Sequence, residues 1–319
     1  MSPIALVTDI DWDGLEIETG ILEAAGYEVV LAPDPSPATM ARLAPSADVI
    51  LVCFATLPSA VIEVAQKARA ILRYGGGINN IDHARAALQN IPVYNVPDFC
   101  IEEVADHALM LILAITRGLE DQLRTTRSGG WAMPGVLPPR LSTKTLGLVG
   151  MGRTGQALAR RAEALGMRVL YTMSSRPLPS DIRATQVADL ATLAKEADVL
   201  SVHVPMTAET AGLINRDVLA MMKPDAIVIN VARGGLVVTD DLVSALHDRV
   251  IAGAGIDVTD PEPLPEDHAL RTLPQCLVTP HFAYRSSAAI TEVRERVARA
   301  ARDILSGRTP DTDDVSLVT

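Results

Sequence analysis

The chain has 319 residues, enough for two domains with cores of ordinary size, and its 48% hydrophobic and 21% charged residues are those of a globular protein, not a disordered or fibrous one. Its 28 basic and 39 acidic residues give a net charge of -11, which argues against nucleic acid or anionic membrane as the main partner. Cys53, Cys100 and Cys276 lie far apart with no C-x-x-C pair, so neither a disulfide framework nor a metal site is expected, and a reducing, cytoplasmic compartment fits.

From the start of the chain, residues 4–8 and 27–32 read as strands around a helix at 15–25, closed by Gly26. The run at 48–54 is continuously apolar, as in a parallel strand buried on both faces. A helix at 58–68, a strand at 70–73, a helix at 81–89 and a strand at 92–95 complete a small α/β domain. Gly75, Gly76 and Gly77 stand at the carboxyl end of a strand, where their N–H groups can hold a carboxylate. Taken alone, they also fit a plain turn.

The long helix at 101–118 is apolar nearly all round, so it is expected to be buried between domains or subunits, with His107 a packed helix residue. No apolar run, the longest being 108–115, reaches the length of a membrane span. Residues 124–141, rich in Gly and Pro and carrying Trp131, read as a surface excursion reaching towards a second subunit. Residues 145–149 then form a strand that runs into Gly150, Gly152 and Gly155, and 156–165 form a helix. Strand, G-x-G-x-x-G turn and helix together signal a dinucleotide site. The first glycine permits the turn, the second lets a pyrophosphate approach, and the third lets helix and strand pack closely.

Beyond that turn, strands at 168–173, 198–204, 226–231, 251–257 and 276–279 alternate with helices at 187–197, 216–222 and 240–248. This is the pattern of a parallel sheet wound on both faces. In such sheets ligands bind beyond the carboxyl ends of the strands, where Arg233, Asp257 and His281 fall, with Glu262 in the loop after one of them. From about residue 287 the chain is helical, and its last residues are polar and expected to be loose.

These motifs resemble the D-isomer-specific 2-hydroxyacid dehydrogenase family. The matching residues are the Gly75-Gly76-Gly77 loop with Asn80-Ile81-Asp82, Asn95-Val96-Pro97, Gly150-x-Gly152-x-x-Gly155, His203-x-Pro205, Asn230-x-Ala232-Arg233-Gly234-Gly235, Asp257-x-x-x-x-Glu262 and Thr279-Pro280-His281. Residues 95–107 and Tyr284 resemble the branch that includes C-terminal-binding proteins, with Asp106 where many members carry Glu. The resemblance implies two doubly wound α/β domains, Rossmann-like and flavodoxin-like, with the active site in a cleft between them. Residues 1–98 with 288–319 would bind substrate, and 99–287 the dinucleotide.

The implied reaction is hydride transfer between a nicotinamide cofactor and a 2-oxo or D-2-hydroxy acid. Arg233 would grip the carboxylate and carbonyl, Gly76 and Gly77 the other side of the carboxylate, and His281 would deliver the proton while Glu262 fixes its tautomer. Tyr284 would line the substrate pocket. For the cofactor the resemblance adds Arg153 and Thr154 on the pyrophosphate, and His203, Val204, Pro205, Val231, Ala232, Asp257 and His281 along its path, with Asp257 near the carboxamide. NAD-preferring sites place an acid about 20 residues after the glycines to bond the ribose 2′-hydroxyl. Met173 stands there, followed by Ser174, Ser175 and Arg176, so NADP(H) is expected over NAD(H). The alternatives are a dinucleotide-sensing co-repressor-like protein and a phosphoglycerate dehydrogenase. A homodimer is expected from the same resemblance.

Overall fold

Runs such as Val49–Val52, in which every residue is buried, cannot alternate between core and solvent, so they form central parallel strands covered on both faces. The computed structural model describes residues 2–131, 137–174 and 176–318. The chain divides into two units, one formed by residues up to Phe99 with those from Arg285 onward, the other by Cys100–Tyr284.

The first unit begins with β1 (Ile4–Val7), α1 (Glu16–Leu22), β2 (Glu28–Leu31), α2 (Pro37–Leu43), β3 (Val49–Val52), α3 (Ser59–Val64), β4 (Ile71–Arg73), α4 (His83–Leu88) and β5 (Val93–Asn95). Its parallel strands lie in the order β5-β4-β3-β1-β2, the flavodoxin arrangement. The sequence reading contains no helix between residues 32 and 48, yet α2 forms there. Ser36 accepts the Thr39 N–H at 3.2 Å, and Pro37 occupies the first turn, where a missing N–H costs nothing.

The second unit contains α5 (Ile101–Thr116), α6 (Leu119–Arg127), β6 (Thr145–Val149), α7 (Arg153–Ala164), β7 (Arg168–Thr172), β8 (Thr185–Gln186), α8 (Leu190–Glu196), β9 (Val199–Val202), α9 (Arg216–Met221), β10 (Ile227–Asn230), α10 (Thr239–His247), β11 (Gly253–Ile256) and β12 (Cys276–Val278). All seven strands are parallel, in the order β12-β11-β10-β9-β6-β7-β8. That is the doubly wound nucleotide-binding order with one strand added at the far edge. Leu111, Ile112 and Leu158 from α5 and α7 cover one face, and Leu193, Leu219 and Leu242 from α8, α9 and α10 belong to the core on the other.

Part of the expected surface excursion is helical, because α6 places Glu120 and Asp121 in its first turn and Arg124 and Arg127 in its last, as the helix dipole favours. Trp131 is 91% exposed, and residues 132–136 of the excursion lie outside the described residues.

The chain then returns to the first unit through α11 (Ser287–Leu305) and β13 (Ser316–Leu317). Ser286 caps α11 by accepting the Ala289 N–H at 2.9 Å. The end expected to be loose is instead strand β13, paired antiparallel with β5. Buried Val315 anchors it, and the Val318 N–H donates to the Val93 carbonyl at 2.8 Å. No helix among the described residues is long and apolar enough to cross a membrane.

Candidate active site

In the second unit the chain leaves β6 through Gly150, whose φ of 105° an L side chain rarely adopts. A Cβ there would stand 2.8 Å from the His203 carbonyl oxygen, and one on Gly155 would stand 2.3 Å from the Gly150 oxygen. A Cβ on Gly152 would meet nothing within 4 Å, and Gly152 offers no side chain to cap the first N–H groups of α7. Uncapped N–H groups at the start of a twelve-residue helix, with open space before them, fit a pyrophosphate. Arg153 and Thr154 lie in that first turn.

These contacts separate the two glycines. Gly155→Ala is expected to lower stability by about 1–3 kcal/mol through overpacking and to weaken cofactor binding. Gly152→Ala should keep the stability and weaken binding alone. Thermal unfolding together with titration of reduced-nicotinamide fluorescence would check both outcomes, and equal melting of the two variants would contradict this account.

His203 stands behind the turn. His203 is half-buried and its Nε2 lies 2.8 Å from the Ser201 hydroxyl, and desolvation of the ring pushes its ionisation down to about 4, so it is neutral near pH 7. It supports the turn through its backbone, while Val204 packs against the same glycine and the Pro205 carbonyl accepts the Thr210 hydroxyl at 2.7 Å. At the end of β7, Met173 takes a left-handed φ of 57° and is 44% exposed. The Ser174 hydroxyl donates to the Arg176 carbonyl at 2.7 Å. Ser175 lies outside the described residues.

At the end of β10, buried Asn230 shapes the next turn. Its Nδ2 donates to the Arg233 carbonyl at 2.8 Å and its Oδ1 accepts the Ala232 N–H at 3.1 Å. Val231 is buried beside it, and Arg233, in extended backbone, donates through Nη1 to the Ala232 carbonyl at 2.6 Å.

His281 follows β12 with a φ of 52°, in the left-handed region that non-glycine residues seldom adopt. Its Nδ1 lies 2.5 Å from Glu262 Oε1, while Glu262 Oε2 accepts the Thr259 N–H at 3.2 Å. Burial raises the Glu262 carboxyl, but the His281 hydrogen bond and charge, the Thr259 N–H and the Arg233 charge outweigh it and hold it below the usual range. The Tyr284 ring stands edge-on to that of His281, with centroids 6.1 Å apart.

Asp257, 1% exposed at the end of β11, holds this loop in place. Its carboxylate accepts the Thr279 hydroxyl at 2.5 Å and the Phe282 and Ala283 N–H groups at 2.9 Å each, and its carbonyl accepts the His281 N–H at 2.8 Å. Burial raises the Asp257 carboxyl, but hydrogen bonds from His107, Thr279, Phe282 and Ala283 bring it below the ordinary value. No local pattern in the sequence marks this anchoring role.

In the first unit, Gly75, Gly76 and Gly77 form the loop after β4. Gly75 has a φ of 140°, and the Gly76 carbonyl accepts Asn95 Nδ2 at 2.6 Å. A Cβ on Gly76 would stand 3.3 Å from Pro97 Cα, so the loop tolerates little there.

The family model for the D-isomer specific 2-hydroxyacid dehydrogenase NAD binding domain matches residues 109–283. The chain belongs to this family. A glyoxylate reductase of Thermofilum pendens is 37% identical over 265 residues, covering 80% of this chain and 77% of that protein. The D-3-phosphoglycerate dehydrogenase of Synechocystis is 34% identical over 298 residues, covering 92% of this chain but 50% of that protein, so the chain spans about half of its length. A solved NADPH-dependent glyoxylate/hydroxypyruvate reductase from Sinorhizobium meliloti, in complex with NADP and malonate, superposes with a TM-score of 0.82 at 30% identity and covers 100% of this chain and 99% of that one. Members of the family are oxidoreductases that interconvert 2-oxo and 2-hydroxy acids with a nicotinamide cofactor, and this dehydrogenase shares their two-sheet α/β fold.

Proposed function

We propose that this dehydrogenase reduces a small 2-oxo acid of the glyoxylate or hydroxypyruvate type to the D-2-hydroxy acid, with NADPH preferred. The observation that carries the reading is the His281–Glu262 pair, set with Arg233 at the carboxyl ends of the strands that also carry the glycine turn. With Nδ1 turned to the carboxylate, His281 presents Nε2 to the substrate as the proton donor. Arg233 binds the substrate carboxylate through its planar fork and polarises the carbonyl. By the family resemblance Gly76 and Gly77 would offer N–H groups to a substrate carboxylate, and Tyr284 would bound the substrate side chain.

Gly150, Gly152, Arg153, Thr154 and Gly155 would hold the pyrophosphate, with Val204, Pro205, Val231, Ala232 and Asp257 further along the dinucleotide. When bound, the cofactor supplies the hydride. The protein residues orient the carbonyl carbon and deliver the proton to its oxygen.

The NADPH preference rests on Met173, which offers no charge to repel a 2′-phosphate, and on Arg176, which supplies a positive one. The Sinorhizobium reductase, itself complexed with NADP, is consistent with that reading. Arg176→Ala is expected to raise the KM for NADPH by roughly 10-fold, a single charge-assisted hydrogen bond, and that for NADH far less. Equal effects on the two would remove Arg176 from this role.

A homodimer accompanies the reading, since Leu119 and Leu123 on α6 are exposed near Trp131 in sequence. Light scattering would test it. For the reaction itself, purified protein with NADPH or NADH is to be assayed against glyoxylate, hydroxypyruvate, pyruvate, 2-oxobutyrate and phenylpyruvate. Turnover of any would support the reading and rank the side chains. Cofactor binding without turnover would favour the sensor role suggested by the C-terminal-binding-protein branch.

A further inference from the structure

His107 lies in the middle of α5, far from the glycine turn in sequence and outside the groups assigned above to proton transfer. Its ring is not simply packed. His107 Nε2 stands 2.9 Å from Thr279 Oγ1 and 3.4 Å from Asp257 Oδ1, with the side chain 10% exposed. Thr279 Oγ1 has one hydrogen and lies 2.5 Å from Asp257 Oδ1, which as a carboxylate only accepts. The Thr279 proton therefore goes to Asp257, and Thr279 must accept the His107 Nε2–H, which it shares with the more distant Asp257 Oδ1. That assigns the Nε2–H tautomer to His107.

The chain of contacts continues to His281. The Asp257 carboxylate that Thr279 and His107 orient also receives the Phe282 and Ala283 N–H groups, directly after His281, and the Asp257 carbonyl receives the N–H of His281 itself. His281 keeps its left-handed φ of 52° only while these neighbours over-determine it. We infer that His107 is a positioning residue for His281, acting through Thr279 and the Asp257 carboxylate. This rests on the reading of His281 as the proton donor. An N–H donor at the Nε2 position of residue 107 sets the placement of the His281 ring.

The substitutions His107→Leu and His107→Gln separate this role from helix packing, because Gln retains an N–H close to the Nε2 position and Leu does not. The first measurement needs neither substrate nor cofactor. In ¹⁵N spectra of the imidazoles, with the His281 signals assigned by their loss in His281→Ala, His107→Leu is expected to shift the His281 Nδ1 signal and His107→Gln to leave it near its original position. The second is turnover of glyoxylate with NADPH. His107→Leu is expected to lower kcat on the order of 10- to 100-fold, the usual penalty for a misplaced group, with KM for glyoxylate little changed and most of the loss restored in His107→Gln. In a His281→Ala background, His107→Leu should then add almost no further loss, since it acts through the missing ring.

An unmoved His281 signal in folded His107→Leu would overturn the inference, as would equal impairment of the Leu and Gln variants or additive losses in the double variant. If His281→Ala itself retains full turnover, the proton-donor reading fails, while the spectra still decide whether His107 positions the ring.

Discussion

His281→Ala is expected to lower kcat for 2-oxo acid reduction by about 10²- to 10⁴-fold while leaving affinity for the reduced cofactor nearly unchanged. The ring is held by Glu262 Oε1 on one side and its backbone by Asp257 on the other, so its removal deletes a placed proton donor without disturbing the glycine turn. Steady-state kinetics with a parallel fluorescence titration of reduced cofactor would check the split, and unaltered turnover would remove His281 from the role. Glu262 adds a pH signature. Its carboxyl ionises below the usual range, so the folded form gains stability from it above the ordinary carboxylate value and loses that contribution as pH falls through the lowered one. The Glu262 contribution is therefore lost in acid.

The second large effect is on stability. Glu18→Ala is expected to destabilise the first unit by about 3–5 kcal/mol, because it strands a buried guanidinium. Glu18 is 0% and Arg294 7% exposed, and Arg294 Nη2 lies 2.7 Å from Glu18 Oε2 and 3.1 Å from the Gly14 carbonyl, with its guanidinium 5.2 Å from the Trp12 ring centroid. This pair ties α11 to the loop and helix that follow β1. Urea unfolding of the variant should show the first unit melting earlier. Replacing both partners by apolar residues, Glu18→Leu with Arg294→Met, should recover much of the loss, since removing both charges leaves neither uncompensated. A single variant as stable as the parent would contradict the account.

The Glu262–His281 pair is legible in motif spacing, whereas Glu18 and Arg294 lie at opposite ends of the chain, and their contact marks the limit of what could be read from residues alone. The β6 strand, the glycine turn and α7 are consecutive, so composition and spacing reveal them directly. The continuous apolar strands likewise announce parallel sheets, because a strand covered on both faces has no polar side to display. Short helices were harder. The helix α2 depends on a Ser cap and a favourably placed Pro more than on periodicity, and α6 hides in a polar stretch whose charges suit the helix dipole.

The polar end of the chain gave no sign of β13, because an edge strand of two residues takes its order from the partner it pairs with. At the site, the motif spacings suggested Arg233, Glu262 and His281 as a set. They said nothing of the left-handed φ at His281, the filled carboxylate of Asp257 or the part of His107. By itself the sequence determined the alternation of strands and helices, the dinucleotide turn and the family, all written in local spacing and apolar patterning. The tertiary structure decided which distant donors meet which buried acceptors, because a buried carboxylate must collect its hydrogen bonds from whatever elements the fold brings beside it.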